Sequence, residues 1–357
     1  MILHEDRRLG GTPRLLMVDE DDPIMEVPPE VKDCVVFLLG ASKKHGGTRR
    51  VAGTAFFVQV STAEDAEGTA IYLVTARHVV DDIKEKSIDG IVWVRINNPD
   101  EGCSEVGIEA KKWVSHPTDN SVDVAAVLWQ SNAFMIRTVP KSMAVTELVM
   151  KKENFSLGDE VFITGLFKMH YGTTKNVPIV RVGNVAMIDK EPIQTKRGPM
   201  EGYLIEARSI GGLSGSPVFI HVPPMRFGIA NALSVTGLDA GKPPFFWFGL
   251  IHGHWDAQDS LPDTLVEDAI GDTINMGIAV VVPATKVLEV LDQEQFVKQR
   301  KEKAKRAREK NLPTQDSALD ADTSSEPHRP KPDANESAKS MIDEIARKTE
   351  GRKPKTP

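Results

Sequence analysis

Cysteine is nearly absent. Cys34 and Cys103 are the only two, too few for a disulfide framework, and they read as buried or idle thiols of a reducing compartment. Long apolar runs are missing as well. No stretch approaches the roughly 20 residues that a membrane span needs. The charged start Met1-Ile2-Leu3-His4-Glu5-Asp6-Arg7-Arg8 lacks the apolar core of a signal peptide. The expectation is a cytoplasmic protein without membrane contact. Net positive charge is lacking too: the formal charge is −7, which gives no reason to expect nucleic acid as a partner. Alternating strand and helix patterns are also missing, which argues against the usual α/β hydrolase scaffold.

What is present is a chain of 357 residues, long enough to bury a sizeable core. It carries two sets of short apolar runs separated by turn signals. The first set falls at 35–39, 54–60, 70–75, 91–96, 108–114 and 122–128, and the second at 160–166, 177–188, 202–206, 217–221, 245–252 and 276–282. Such spacing with little helical periodicity predicts an all-β chain of barrels or sandwiches. Between the sets, residues 133–155 mix apolar and charged positions as a crossing segment would. Helical spacing appears after Pro283, at Val287, Leu288 and Leu291, and predicts a short C-terminal helix.

The most informative stretch is Gly211-Gly212-Leu213-Ser214-Gly215-Ser216-Pro217-Val218-Phe219. A Gly-rich turn that presents one Ser and then enters an apolar strand exposes a hydroxyl and leaves nearby N–H groups free, as an acyl-transfer nucleophile needs. The Gly212 and Ser214 N–H groups would form the oxyanion site. A Ser hydroxyl is inert at neutral pH, so a His base and an orienting carboxylate are required elsewhere. His78 follows the apolar run ending Val74-Thr75-Ala76-Arg77, and Asp123 opens the apolar run Val124-Ala125-Ala126-Val127. A carboxylate at the mouth of a buried strand is costly unless paired, and an imidazole N–H would pair it.

With Thr75-Ala76-Arg77-His78, Asp123-Val124-Ala125 and Gly212-Leu213-Ser214-Gly215-Ser216-Pro217 in the order His, Asp, Ser, the chain resembles trypsin/chymotrypsin-type serine peptidases, and within them the bacterial, disulfide-free branch. The resemblance covers about residues 35–291. It implies two consecutive six-stranded antiparallel β-barrels with the site between them, a catalytic His78, Asp123 and Ser214, and an oxyanion hole at Gly212 and Ser214. The activity implied is hydrolysis of peptide bonds in a polypeptide substrate, with no metal or cofactor. Where that family often places an Asp that pairs with a cleaved N-terminal amine, this chain has Leu213, so activation by such an ion pair is not expected.

The same resemblance puts the primary pocket beside Arg208, His252 and His254. Either these select an acidic or polar side chain, or Arg208 pairs with a carboxylate such as Glu206 and points away. His116 reads as a loop cap rather than a catalytic group. Residues 1–32 read as a flexible N-terminal segment, 33–294 as the peptidase domain with barrel one at about 33–131 and barrel two at about 156–283, and 295–357 as a solvated, basic helix extension with a disordered tail. In the tail, Met341, Ile342 and Ile345 would share a helix face suited to docking a protein partner. Two other readings stay open: a latent double barrel that serves as a peptide-binding or scaffolding module until a partner reorders the Ser214 loop, and an esterase with the same chemistry.

Overall fold

The computed structural model describes residues 29–61, 69–131, 133–134, 136–195, 197–207, 212–221, 245–256 and 275–311. The fold subdivides at the crossing segment, as the two sets of apolar runs predict. After a single turn, α1 (Pro29–Lys32), the first half carries β1 (Val35–Ala41), β2 (Arg49–Val60), β3 (Ala70–Thr75), α2 (Arg77–Lys86), β4 (Ile91–Asn97), β5 (Cys103–Glu109), β6 (Val114–Ser115), β7 (Ala125–Leu128) and β8 (Val139–Pro140). These strands form one sheet in the order β5-β4-β1-β2-β3-β7-β6, with β8 added beside β2. The expected pair of barrels is therefore present with one correction: the first is a curled sheet that stays open between β5 and β6. The run at 108–114 is not one strand, because a 3-10 turn at Ala110–Lys112 parts β5 from β6.

The crossing segment holds a short helix, α3 (Glu147–Lys152), capped by the Thr146 hydroxyl. The second half carries β9 (Glu160–Gly165), β10 (Ile179–Ile188), the hairpin β11 (Ile193–Thr195) and β12 (Gly198–Met200), β13 (Tyr203–Glu206), β14 (Pro217–His221), β15 (Phe245–Asp256) and β16 (Asn275–Pro283). Six of these strands close a barrel in the order β10-β13-β16-β15-β14-β9.

Two apolar clusters follow. One lies inside the closed barrel, with Val161, Ile163, Leu213, Phe248 and Val281 among its members. The other fills the curled sheet and runs into the seam between the halves, where Trp247 of β15 meets Phe56 of β2 edge to face at 5.5 Å. Phe56 and Phe57 are fully buried, as aromatics in a strand beside this seam should be.

The helix α4 (Ala284–Leu291) takes the place its spacing predicts. The stretch beyond it differs from the expectation of a solvated charged helix. It is helical, α5 (Glu294–Asn311), but its first turns are docked. Phe296 is buried with its ring 4.9 Å from Tyr72 of β3. The Arg300 guanidinium is buried too, donating to the Tyr72 hydroxyl at 3.1 Å and the Leu291 carbonyl at 2.7 Å. The apolar Phe296 and one arginine at a four-residue spacing face the sheet, so the net charge of the stretch hides a packed stripe.

Candidate functional site

Strand register brings the first two site residues together. Thr75, the last residue of β3, pairs with Ala125, the first of β7. His78 lies three positions beyond the one end and Asp123 two positions before the other, so they meet above the sheet. His78 is the second residue of α2, whose N-cap, Ala76, has no side-chain oxygen to offer the first turn. Asp123 supplies that missing acceptor. One carboxylate oxygen accepts the His78 backbone N–H at 2.9 Å, and the other meets the ring Nδ1 at 2.7 Å. The carboxylate thus holds both the backbone and the ring of the same residue, at a helix end that favours negative charge.

Asp123 is 7% exposed. Its burial opposes ionisation, but the charge of His78 and the hydrogen bonds from His252 and His78 outweigh it and hold the carboxyl far below the usual carboxylate range. A neutral His78 that donates to Asp123 carries its proton on Nδ1 and keeps a lone pair on Nε2.

Ser214 arrives from the other half. Gly212 and Gly215 adopt φ of 113° and 83°, left-handed backbone that a side chain would strain. The turn is tied across the seam by Thr54 of β2. Its N–H donates to the Ser214 carbonyl at 3.0 Å, its hydroxyl donates to the Gly212 carbonyl at 3.0 Å, and that hydroxyl accepts the Leu166 N–H at 2.9 Å. The Thr75 hydroxyl in turn donates to the Thr54 carbonyl at 2.7 Å. A Cβ on Gly215 would come within 2.2 Å of the Thr54 carbonyl oxygen, so glycine is required there on packing as well as on φ. Turned this way, the Gly212 and Ser214 carbonyls face the first half, and the Leu213 carbonyl accepts the Ser216 N–H within the turn. Among the described residues the Gly212 and Ser214 amides have no hydrogen-bond partner.

Ser214, Gly212 and His78 line one cleft of about 400 Å³ together with Gly253, Arg50 and Lys168. Among the described residues, no hydrogen bond joins the Ser214 hydroxyl to the His78 ring. Leu213 points the opposite way, buried inside the closed barrel.

The remaining expectations fare differently. His252 is not a wall of this cleft. Its Nδ1 lies 2.5 Å from the Asp123 carboxylate oxygen that also meets His78, because the Gly215 N–H bonds the Ile251 carbonyl at 2.8 Å and sets the next residue of β15 beside Asp123. Arg208 lies outside the described residues, and of His254 only the backbone, paired with Ala279, is described. His116 caps its loop, accepting the Asp119 N–H at 2.9 Å.

Thr54 and the bond from His252 to Asp123 were not read from the sequence. The signal for Thr54 was a hydroxyl in the apolar run Ala55-Phe56-Phe57-Val58, since a buried hydroxyl needs partners. His78, His252 and Asp123 place three ligand-type atoms within 4.8 Å of one another. The separations of 2.5 and 2.7 Å are hydrogen-bond lengths. Two ligands of a tetrahedral zinc ion stay about 3.3 Å apart, so the group is arranged as a shared hydrogen bond and not as a metal cage.

No family model matches the chain, and no curated protein matches it. Solved structures do. The MamO protease domain from Magnetospirillum magneticum covers 72% of this chain and 96% of its own length at 13% identity, with a TM-score of 0.40. The active form of the Rv3671c protease from M. tuberculosis covers 82% and 93% at 17% identity, with a TM-score of 0.39. The Grass clip serine protease of the Drosophila Toll pathway covers 74% and 70% at 15% identity, with a TM-score of 0.41. What the site can do rests on its own residues.

Proposed function

We propose that the chain is a serine endopeptidase in which Ser214 is the nucleophile, His78 the general base and acid, and Asp123 the group that orients His78. The observation that carries this is the two-point grip of Asp123 on His78, opposite a Ser214 turn whose free amides share its cleft. Asp123 leaves the His78 Nε2 lone pair to take the Ser214 proton as the hydroxyl oxygen bonds to the peptide carbonyl carbon. The oxyanion so formed is met by the Gly212 and Ser214 N–H groups. The carbon–nitrogen bond then breaks, with the His78 proton passing to the leaving amine. A water molecule gives its proton to His78 as it attacks the acyl carbon, the bond from that carbon to the Ser214 oxygen breaks, and the His78 proton returns to that oxygen.

Labelling with a fluorophosphonate tests the reading: the wild type should label, and Ser214→Ala and His78→Ala should not. The missing hydrogen bond between Ser214 and His78 favours a second reading, a latent double barrel awaiting a partner. A folded wild type that fails to label would select it.

A further inference from the structure

The peptidase reading leaves unused an imidazole that touches its own carboxylate. His252 is a titratable side chain only 12% exposed, and it spends its Nδ1 on the same oxygen of Asp123 that meets His78. The two rings stand edge to face with centroids 5.4 Å apart. An ionised carboxylate only accepts hydrogen bonds, so each imidazole must carry its proton on Nδ1 to donate to it. One oxygen therefore fixes the tautomer of both histidines and leaves both Nε2 lone pairs outward.

From the geometry we infer that His252 is a positioning residue that acts through Asp123: it pins the carboxylate towards His78 while neutral, and weakens the carboxylate's support of His78 when it takes up a proton. The inference rests on the peptidase reading and extends it to regulation of the same site. With neutral His252 the carboxylate keeps its full charge for the imidazolium that forms on His78 during the reaction. A proton on His252 places a second cation on that oxygen, and the charge is divided between two rings.

A separate small chamber of about 170 Å³, lined by His78, Asp123 and His252 together with Asn120, Thr195 and Arg197, gives that proton a route to His252. The charged groups lining this chamber among the described residues are Asp123 itself, Arg77 and Asp81 of α2, and Arg197 of the β11–β12 hairpin; on its other side His78 shares the Ser214 cleft with Arg50, Asp82, Lys86 and Lys168. Arg77 is held by Asp81 at 3.3 Å and Asn120 at 3.1 Å, and Arg197 lies 3.8 Å from Asp82. The two arginines of the chamber thus have anionic partners of their own, and Asp123 is left to the two imidazoles.

The test pairs a spectroscopic readout with kinetics on the full chain. Proton NMR with 15N-labelled histidine should show two strongly downfield Nδ1–H resonances, one of which disappears in His252→Ser. For a peptide substrate, His252→Ala should lower kcat about ten-fold with little change in KM, by loss of a hydrogen bond to a charged group. His252→Ser, which restores a donor without a titrating ring, should recover most of that loss. The acid limb of log(kcat/KM) against pH should be steeper than one proton in the wild type and fall to one proton in His252→Ser.

A single downfield resonance in a wild type that labels with the fluorophosphonate overturns the positioning role alone, as does an acid limb unchanged by His252→Ser. Two resonances in a protein that never labels overturn the peptidase reading and take the positioning role with it. Should the variants fail to fold, the count of resonances and the steepness of the wild-type acid limb decide.

Discussion

The two halves of the molecule complete themselves by different means. The second closes six strands into a ring and keeps a cluster of its own inside, so each strand finds both neighbours within that half. The first stops at β5 on one side and β6 on the other, and its core is finished by borrowed parts: the seam with Trp247, and Phe296 and Arg300 of α5 against Tyr72. Ser214 belongs to the self-sufficient half, His78 and Asp123 to the dependent one. The chemistry proposed here therefore relies on how well the open sheet is held, and the nucleophile's own barrel does not provide that hold.

The strongest way to break this comparison is at Asp123, where the open half contributes its charge. Asp123→Asn should lower kcat/KM for a peptide substrate by about ten-thousand-fold, an effect that steady-state kinetics would show. It should also change the response to acid. The carboxyl is held far below the usual carboxylate range in the folded protein, whereas the unfolded chain protonates near about 3.9. The unfolded state then binds more protons at low pH, so the stabilisation is complete above about pH 4 and is lost progressively below it. Urea midpoints followed from about pH 6 to about pH 3 should fall less in Asp123→Asn than in the wild type.

Next in size is the borrowed cover. Phe296→Ala should cost about 3–5 kcal/mol, and hydrogen exchange should show β3 losing protection before β9 or β14. Equal loss in both halves would mean that they unfold as one unit and that the distinction has no energetic content. Close behind is the tie across the seam. Thr54→Val keeps the shape but strips partners from the buried Leu166 N–H and Gly212 carbonyl, at about 1–3 kcal/mol for each group left unsatisfied. It should also slow fluorophosphonate labelling, because the Ser214 turn loses its anchor. The smallest effect contrasts two thiols of the open half. Burial pushes the Cys34 thiol well above its ordinary value, so with a maleimide Cys103 should be modified first while Cys34 reacts only on unfolding.

Much of this was legible in the chain because the relevant signals are local. Thr75 to His78, Asp123 to Ala125 and Gly212 to Pro217 sit at strand ends, where a few residues fix a turn and its exposed group, and the structure brings His78 and Asp123 into contact. Short apolar runs separated by turn signals likewise announced an all-β chain in two sets. What could not be read depends on partners distant in sequence. Nothing in β5 or β6 states that they fail to pair with each other, since closure is a property of the whole sheet. The sequence places His252 on its strand but does not say that it turns to Asp123; the bond from Gly215 to Ile251 decides that facing. The docking of α5 was hidden by composition, for a run dominated by Lys and Arg reads as solvated even when Phe296 and Arg300 turn inward. Thr54 was visible as a hydroxyl among apolar neighbours, yet only the fold tells which carbonyl it serves.

Leu213 gives the Ser214 turn an unusual sensitivity. Its side chain enters the interior of the closed barrel, and the ties around it, from Thr54 and Ile251, are neutral hydrogen bonds. No ion pair among the described residues clasps this turn, so added salt has nothing there to screen. Apolar contact weakens as water is chilled. The alignment of nucleophile and amides should thus respond to cold more than to the screening of charge by salt.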